Sequence, residues 1–563
     1  MLPTNKVLVR RSFSSNLLLA VVLILLSLAT VFEVVHSLRW RMEHDTPLLH
    51  YAAWLMVERG AIPYRDIFET SMPGTFLFHM AIGKLFGWGD RPFQLVDVAS
   101  IAVLGLATWK LLRSFGQSIA IAAWLLFVLS YLRLGPSMTL QRDYLGLILI
   151  VIAAALATRS ATTHHYRIYA TIGLLIGFGM LIKPHLAIGL LPISACIIWS
   201  HHRNVSSSST QPTWLASAIP VLATIAATAL LPIVITIAIL RRIGAWPIFW
   251  ELVTQYLPLH IQLSGVHRHI RGLERFRYDF LHILILGHLW FWLPMATLGV
   301  YLAWQRTRHA AEQRALLWML LGLAVAFIIY PTLSGQFWAY HWMPFEFFLV
   351  VLASFSLLPL ADPKFASWRW LSLILFAFAV FTVILPKTEN RRDFFGATVS
   401  APKHGDVDRI ATLLKQRMRA GDTIQPLDWT EGSIHAMLLA HAQIATPFLY
   451  DYHFYHDVNN PEIIRLRQRF IDALNVSNPR FILYMNEDWP RVTGPGTSTQ
   501  FPQLSDYIAQ HYVVTVQYQD FVLLERTCNG SLSSGHPAFY CDTSATACIR
   551  ADCFGNMHSL PPR

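Results

Sequence analysis

The chain has 563 residues, of which 54% are hydrophobic and 14% charged, with a formal net charge of +11. Soluble domains carry roughly 25% charged residues, so the composition excludes an ordinary soluble enzyme and points to a protein that hides its surface in lipid. The basic residues are scattered through short loops between apolar runs, without a basic helix or nucleic-acid motif, which suits anionic lipid and phosphate and excludes nucleic acid as a partner.

At the N-terminus Lys6, Arg10 and Arg11 precede an apolar core in the manner of a signal peptide, and Ser27-Leu28-Ala29 has small residues at both ends. That triplet is embedded in a run that continues to Phe32, so an uncleaved first helix is expected. About eleven apolar segments follow in chain order, near 17–38, 95–112, 119–134, 144–158, 168–182, 185–200, 215–240, 281–304, 315–333, 343–361 and 370–386. A helix of about 20 apolar residues crosses a bilayer; the shorter segments imply tilted or broken helices. The expected fold class is therefore an α-helical polytopic membrane protein of about 11 transmembrane helices with a C-terminal α/β extracytoplasmic domain.

The expected domains are a transmembrane domain over 1–386 that contains a first external loop at 39–94, an α/β domain over 387–527, and a Cys-containing tail over 528–563. In the α/β domain, helices are expected near Gly405 to Ala420 and Asn460 to Leu474. Strands are expected at Phe481 to Met485, Tyr512 to Gln517 and Phe521 to Glu525, the last two as a hairpin. Cys528, Cys541, Cys548 and Cys553 crowd the tail without zinc-site spacing, and two disulfides are the expectation, with four unpaired thiols as the alternative. Short basic loops at Arg203, Gln305 to Arg314, and Lys364 with Arg369 favour a cytoplasmic N-terminus. An odd helix count then places the tail outside a cell membrane crossed many times.

The first loop is the most informative stretch. It reads Glu43-His44-Asp45-Thr46-Pro47, a helical segment to Arg59, then Gly60-Ala61-Ile62-Pro63-Tyr64-Arg65-Asp66-Ile67-Phe68-Glu69 and Pro73-Gly74. Glu43 and Asp45 follow the first helix closely, and a carboxylate at the membrane surface can deprotonate an acceptor hydroxyl. The plainer alternative is a hydrated loop in which Asp45 caps a helix. Gln141-Arg142-Asp143 opens the fourth helix, where Asp143 could be half of an interfacial ion pair with Arg142. Lys183-Pro184-His185 sits between two apolar segments; a lysine there needs a partner, and a phosphate is a fitting one, although a snorkelling lysine is the alternative. A basic loop carries His260, His267, Arg268, His269, Arg271, Arg275 and Arg277, which suits a phosphate headgroup or anionic lipid. His341 lies in Trp338-Ala339-Tyr340-His341-Trp342, an aromatic belt that could also reach a carrier phosphate. Asp451-Tyr452-His453-Phe454-Tyr455-His456-Asp457 reads as an aromatic-rich surface loop rather than a metal site.

The first loop resembles that of the GT-C superfamily, the lipid-phosphate-sugar-dependent transferases that include protein mannosyltransferases and the lipid A aminoarabinose transferase. The resemblance rests on Asp45, a short helix, Gly60-Ala61-Ile62-Pro63-Tyr64-Arg65-Asp66 and Met72-Pro73. It extends to the hydropathy pattern and the outward tail. Two departures stand out: Asp45-Thr46 where many relatives have Asp-Glu, and Met72 in place of a first proline. The first leaves the working carboxylate open between Asp45 and Glu43. The resemblance implies a membrane glycosyltransferase that inverts configuration, moving a sugar from a polyprenyl-phosphate donor to a glycan, lipid or protein acceptor. It places Tyr64, Arg65, Asp66 and Glu69 in the donor and acceptor loop, Arg142 and Asp143 in a charged second loop, and Lys183, His185 and His341 against the donor phosphate. Asp45 and Asp143 are the pair that could share a divalent cation, as one branch of the superfamily does; no cofactor is certain. The reading from a different class is a transporter or flippase of a lipid-linked or anionic substrate, which would explain the helices and Lys183 but predicts internal repeats that are not evident.

Overall fold

A computed structural model describes residues 4–160, 166–205, 214–263, 272–281, 289–334, 337–384, 406–428, 432–486 and 496–527. The four tail cysteines, and His267, Arg268, His269 and Arg271 of the basic loop, lie outside the described residues. The chain divides into two compact units, one of Met1–Met42, Ser71–Gly244 and Val266–Ser400, the other of Glu43–Thr70, Ala245–Gly265 and Ala401–Arg563.

The first unit is helical. It contains α1 (Thr4–Ser37) and, from the other unit's α2 (Asp45–Glu58) onward in chain order, α3 (Pro73–Phe86), α4 (Asp90–Leu112), α5 (Gln117–Arg133), α6 (Arg142–Ser160), α7 (Tyr166–Ile182), α8 (Leu190–Val205) and α9 (Trp214–Arg242). After α10 (Trp246–Glu251) and α11 (Leu257–Leu263) of the second unit come α12 (Leu273–Leu281), α13 (Trp292–Arg306), α14 (Ala311–Ser334), α15 (Met343–Ser354), α16 (Leu358–Ala361) and α17 (Arg369–Ile384). Among the described residues six helical spans are long and apolar enough to cross a membrane, and three shorter apolar helices accompany them. Every apolar segment expected from the sequence overlaps a helix.

Within this unit α7 and α9 approach at backbone distance. A Cβ at Gly173 would stand 2.4 Å from the Ile225 carbonyl oxygen, and one at Gly177 would stand 2.3 Å from that of Ala229. Both pairs are four residues apart, the small-residue spacing by which membrane helices pack without a hydrophobic drive. One element was not foreseen. Residues 71–86 belong to the helical unit as the end of a turn and α3, where the sequence suggested external loop. Pro73 starts α3 at a position where a missing N–H costs nothing. A Cβ at Gly74 would come within 2.7 Å of the Leu181 carbonyl, so only glycine lets α3 meet the end of α7.

The second unit carries α18 (Val407–Arg417), α19 (Ser433–Ala440), α20 (Pro461–Ser477) and α21 (Pro502–His511) with five strands: β1 (Thr423–Leu427), β2 (Gln443–Ile444), β3 (Phe481–Met485), β4 (Tyr512–Gln517) and β5 (Phe521–Arg526). The sheet order is β2-β1-β3-β5-β4. β1 pairs parallel with β2 and β3, while β3–β5 and β5–β4 are antiparallel. The expected hairpin and both expected helices are present. α20 is capped by Asn460, whose side chain accepts from the Glu462 amide, with Pro461 in the first turn.

Residues 43–70 fold onto this sheet unit. The Tyr51 hydroxyl of α2 donates to the Ala442 carbonyl at 2.7 Å. The Phe68 amide donates to the Pro447 carbonyl at 2.7 Å, and Phe68 and Phe448 form an isolated parallel bridge. The stretch Asp451 to His456 is not the surface loop that its polar and aromatic residues suggested. Asp451 is 5% exposed, His453 0% and His456 2%; Tyr256 and Phe68 pack their rings on His453, and Tyr452 packs on His456.

Candidate functional site

Two clusters hold the residues singled out from the sequence, one in each unit. The helical unit's cluster begins with two chain breaks. Pro184 ends α7, since the residue before a proline is pushed out of helical geometry. Lys183 accordingly adopts an extended conformation, while its amide still donates to the Gly179 carbonyl at 2.8 Å. Leu140 takes a positive φ of 50° just before α6 starts at Arg142, an uncommon conformation for a residue with a side chain.

These breaks bring Lys183 and Asp143 together. The ammonium donates to both Asp143 oxygens, at 2.8 and 3.1 Å. The Asp143 side chain is fully buried and that of Lys183 is 13% exposed. The Tyr330 hydroxyl, near the end of α14, also donates to Asp143. Lys183 lies 5.7 Å from the Tyr330 ring centre and 5.3 Å from that of Tyr340. His341 is buried, and its ring stands edge-on to Tyr330 at 6.3 Å; His185 does the same from the other break at 6.1 Å. Lys183, His185, His341 and Asp143 thus form one cluster around Tyr330, which the sequence had not singled out. Arg142 points elsewhere in part, with one guanidinium nitrogen donating to the Ser71 hydroxyl at 3.0 Å. The partner seen for Asp143 is therefore Lys183, forty positions away, where the sequence suggested its neighbour Arg142.

A carboxylate whose two oxygens accept from an ammonium and a phenol is a poor ligand for a divalent cation, since the metal would have to displace Lys183. Among the described residues no group of three His, Cys, Asp or Glu side chains could hold a metal ion.

The second unit holds the first-loop residues. Asp45 opens α2, preceded by His44 at a positive φ of 57°. The His44 Nδ1 is 3.0 Å from Asp45 Oδ1, both side chains partly exposed. The Glu43 carbonyl accepts from the Thr46 amide at 3.2 Å, so Glu43 and Asp45 flank the same helix start. Tyr64 also has positive φ, at 67°, and is fully buried with its ring 4.8 Å from that of Phe249. Arg65 and Asp66 are spent on each other in a two-pronged pair at 2.8 and 2.9 Å. The Asp66 carboxyl is held below its ordinary range chiefly by the Arg65 hydrogen bonds. Its Oδ2 also accepts from the Ile62 amide at 2.9 Å, which makes the pair a turn brace.

Glu69 is buried, and Tyr450 hydrogen-bonds to it. Burial, then the negative charge of Glu69 and further on of Asp45, push the Tyr450 hydroxyl well above its usual range. Tyr450 is thus fixed as a neutral hydrogen-bond donor in the neighbourhood of both carboxylates. It comes from the sheet-bearing part of the chain, and no local motif marks it. The Tyr256 hydroxyl contacts His453 Nδ1, and burial lowers the His453 ring well below its ordinary pKa.

Residues 71–231 match the family described as dolichyl-phosphate-mannose-protein mannosyltransferase, a stretch that includes Arg142, Asp143, Lys183 and His185. A search of curated proteins by sequence gives no match. Among solved structures, ArnT from Cupriavidus metallidurans in the apo state is similar at 13% identity and TM-score 0.55, with 90% of this chain and 97% of that chain covered. The same protein bound to undecaprenyl phosphate is similar at 12% identity and TM-score 0.53, with 91% and 98% covered. AglB, an archaeal oligosaccharyltransferase from Archaeoglobus fulgidus, in complex with an inhibitory peptide and a dolichol-phosphate, gives 13% identity and TM-score 0.47, with 90% and 74% covered. At such identities the likeness to ArnT is one of fold. With that fold over nearly the whole chain, a mannosyltransferase-family match across α3 to α9 and six helical spans apolar enough to cross a bilayer among the described residues, the chain is a multi-pass membrane protein with a fold similar to that of ArnT.

Proposed function

We propose that this chain is a glycosyltransferase that moves a sugar from a polyprenyl-phosphate donor to an acceptor hydroxyl on the extracytoplasmic face of the membrane. The observation that carries the reading is the buried Lys183–Asp143 pair at the meeting of α6, α7 and α14. Ionisable residues buried among apolar membrane helices are expensive and mark sites of function. An ammonium has three donors, and Asp143 engages at most two of them. In this reading Lys183 keeps Asp143 as its buried partner and also turns its charge toward a phosphate, with His185, His341 and Arg142 as further cationic or donor groups. The undecaprenyl phosphate bound to ArnT supports a carrier of this chemistry.

The chemistry then needs only a base. Asp45 takes the proton of the acceptor hydroxyl as its oxygen attacks the anomeric carbon. The bond from that carbon to the phosphate oxygen breaks, and the electron pair leaves with the polyprenyl phosphate, stabilised by the cations around Lys183. A single displacement inverts the anomeric configuration. Glu43 is the alternative base. Purified protein in detergent, incubated with a panel of polyprenyl-phosphate sugars and an acceptor extract, should release free polyprenyl phosphate detectable by mass spectrometry. No release from any donor, with lipid-linked sugar crossing proteoliposome membranes instead, would favour the transporter reading.

A further inference from the structure

We propose that Asp97 and Tyr131 are positioning residues that set the Asp143–Lys183 pair to receive a phosphate. The proposal rests on the donor-site reading of that pair and names what holds it in place. The Tyr131 hydroxyl, on α5, donates to Asp97 Oδ1 on α4 at 2.6 Å. The same hydroxyl accepts from the Leu140 amide at 3.1 Å. Leu140 has the positive φ noted above, a conformation that costs free energy in a residue with a Cβ and persists only where its surroundings hold it. That hydrogen bond is the hold, and it lies three residues before Asp143.

The other side of Asp143 is held by the same tyrosine. Tyr144 stacks on Tyr131 with ring centres 4.3 Å apart and planes 16° apart. The Tyr144 hydroxyl and the Ser100 hydroxyl are 3.1 Å apart, and Ser100 also donates to the Asp97 carbonyl at 2.7 Å. Arg142 and Asp143 are therefore bracketed by two contacts that both run through Tyr131 and back to the Asp97 turn of α4. Asp97, Tyr131 and Tyr144 are 0%, 3% and 0% exposed, so loss of one member leaves a buried polar group short of a partner. Lipid packing alone would not require this. An apolar contact at Tyr131 would fill the same space without fixing the Leu140 amide.

The test compares Tyr131→Phe, Asp97→Leu and Asp97→Asn in the full-length protein in detergent. Two quantities are read: affinity for undecaprenyl phosphate, and hydrogen exchange of the peptide containing Leu140. Tyr131→Phe removes both hydrogen bonds and keeps the ring stack. It should weaken undecaprenyl phosphate binding about 3- to 10-fold, the worth of a hydrogen bond, and speed exchange at Leu140 while other segments keep their protection. In transfer assays the loss should fall on donor KM more than on kcat, whereas general destabilisation would lower the active fraction and leave affinity alone. Asp97→Leu should behave like Tyr131→Phe, and Asp97→Asn, which retains an acceptor oxygen, should restore most of the affinity. Should Tyr131→Phe not accumulate, the two Asp97 variants carry the comparison. Lys183→Ala separates the two readings. If it weakens undecaprenyl phosphate binding and Tyr131→Phe does not, positioning is overturned and the donor site stands. If neither variant changes affinity, the donor-site reading has failed and takes the proposal with it.

Discussion

Lys183 and Asp143 face each other at 2.8 Å with the carboxylate wholly buried, so each is the other's electrostatic support. Removing one member of a buried pair leaves an uncompensated charge and costs about 3–5 kcal/mol, more than the pair itself contributes. Lys183→Ala should therefore lower the thermal unfolding temperature in detergent, and the double variant Lys183→Met with Asp143→Leu should recover most of it. Transfer should be absent from both, because a methionine cannot donate to a phosphate. A double variant as unstable as the single one would show that the pair is not what ties these helix ends together.

Asp45→Asn keeps the shape of the side chain and removes its basicity. A loss of about 10²-fold or more in turnover is expected for a general base, with expression and thermal stability close to wild type because the side chain is partly exposed at a helix start. Glu43→Gln serves as the comparison. Near-normal turnover in Asp45→Asn with loss in Glu43→Gln would move the role to Glu43.

These two carboxylates stand out in the sequence because they sit beside a local landmark, the exit of the first apolar helix. The place of Lys183 at a helix end was legible for a similar reason, since Pro184 disfavours helix at the residue before it. Partners that arrive from elsewhere in the chain were not. Tyr330 is one tyrosine among the 19 of the chain, and nothing local says that it donates to Asp143. Tyr450 reaches Glu69 from the other end of the sequence. The strand β1 was missed because it contains Pro426, which argues against a strand in sequence and is accommodated here. Asp451 to His456 was misplaced for a related reason. Polar residues read as solvent-facing until a fold supplies partners such as Tyr256 and Phe68, whose rings cover His453.

That burial has a consequence for pH. Asp451 is pushed up to about 7 by loss of solvent, with the Asp428 carboxylate adding to the rise. Its folded-state pKa thus lies above the ordinary value of 3.8, so the folded form holds the proton more tightly than the unfolded form. Its contribution to stability is full below the unfolded pKa and is lost as pH rises toward about 7, a change of at most about 4 kcal/mol. Asp451→Asn cannot ionise and keeps an oxygen for the Tyr455 hydroxyl. It should raise the unfolding temperature at neutral pH and flatten the decline between weakly acidic and neutral buffer. An unchanged slope would mean that the burial of Asp451 is relieved by a partner other than a proton.

The assignment of sides is the expectation on which the proposed chemistry depends, because a base and a phosphate site cannot cooperate across about 30 Å of hydrocarbon. With a cytoplasmic N-terminus and an odd number of crossings, Asp45, Asp143, Lys183 and the sheet-bearing residues share the outer side. The loop after α13 then lies inside, as its basic residues favour. Single cysteines in a background without the native ones test this in intact cells. His309 and Ser505 are suitable positions, since both are exposed. Ser433, buried against Asp428, would be silent for the wrong reason. A membrane-impermeant maleimide should label Ser505→Cys in intact cells and His309→Cys only after permeabilisation. The reverse pattern would place the proposed chemistry on the cytoplasmic face. Labelling of both in intact cells would mean an even number of crossings between His309 and Ser505, where α14, α15–α16 and α17 give three, and one of those three would then have to enter and leave the membrane on the same side.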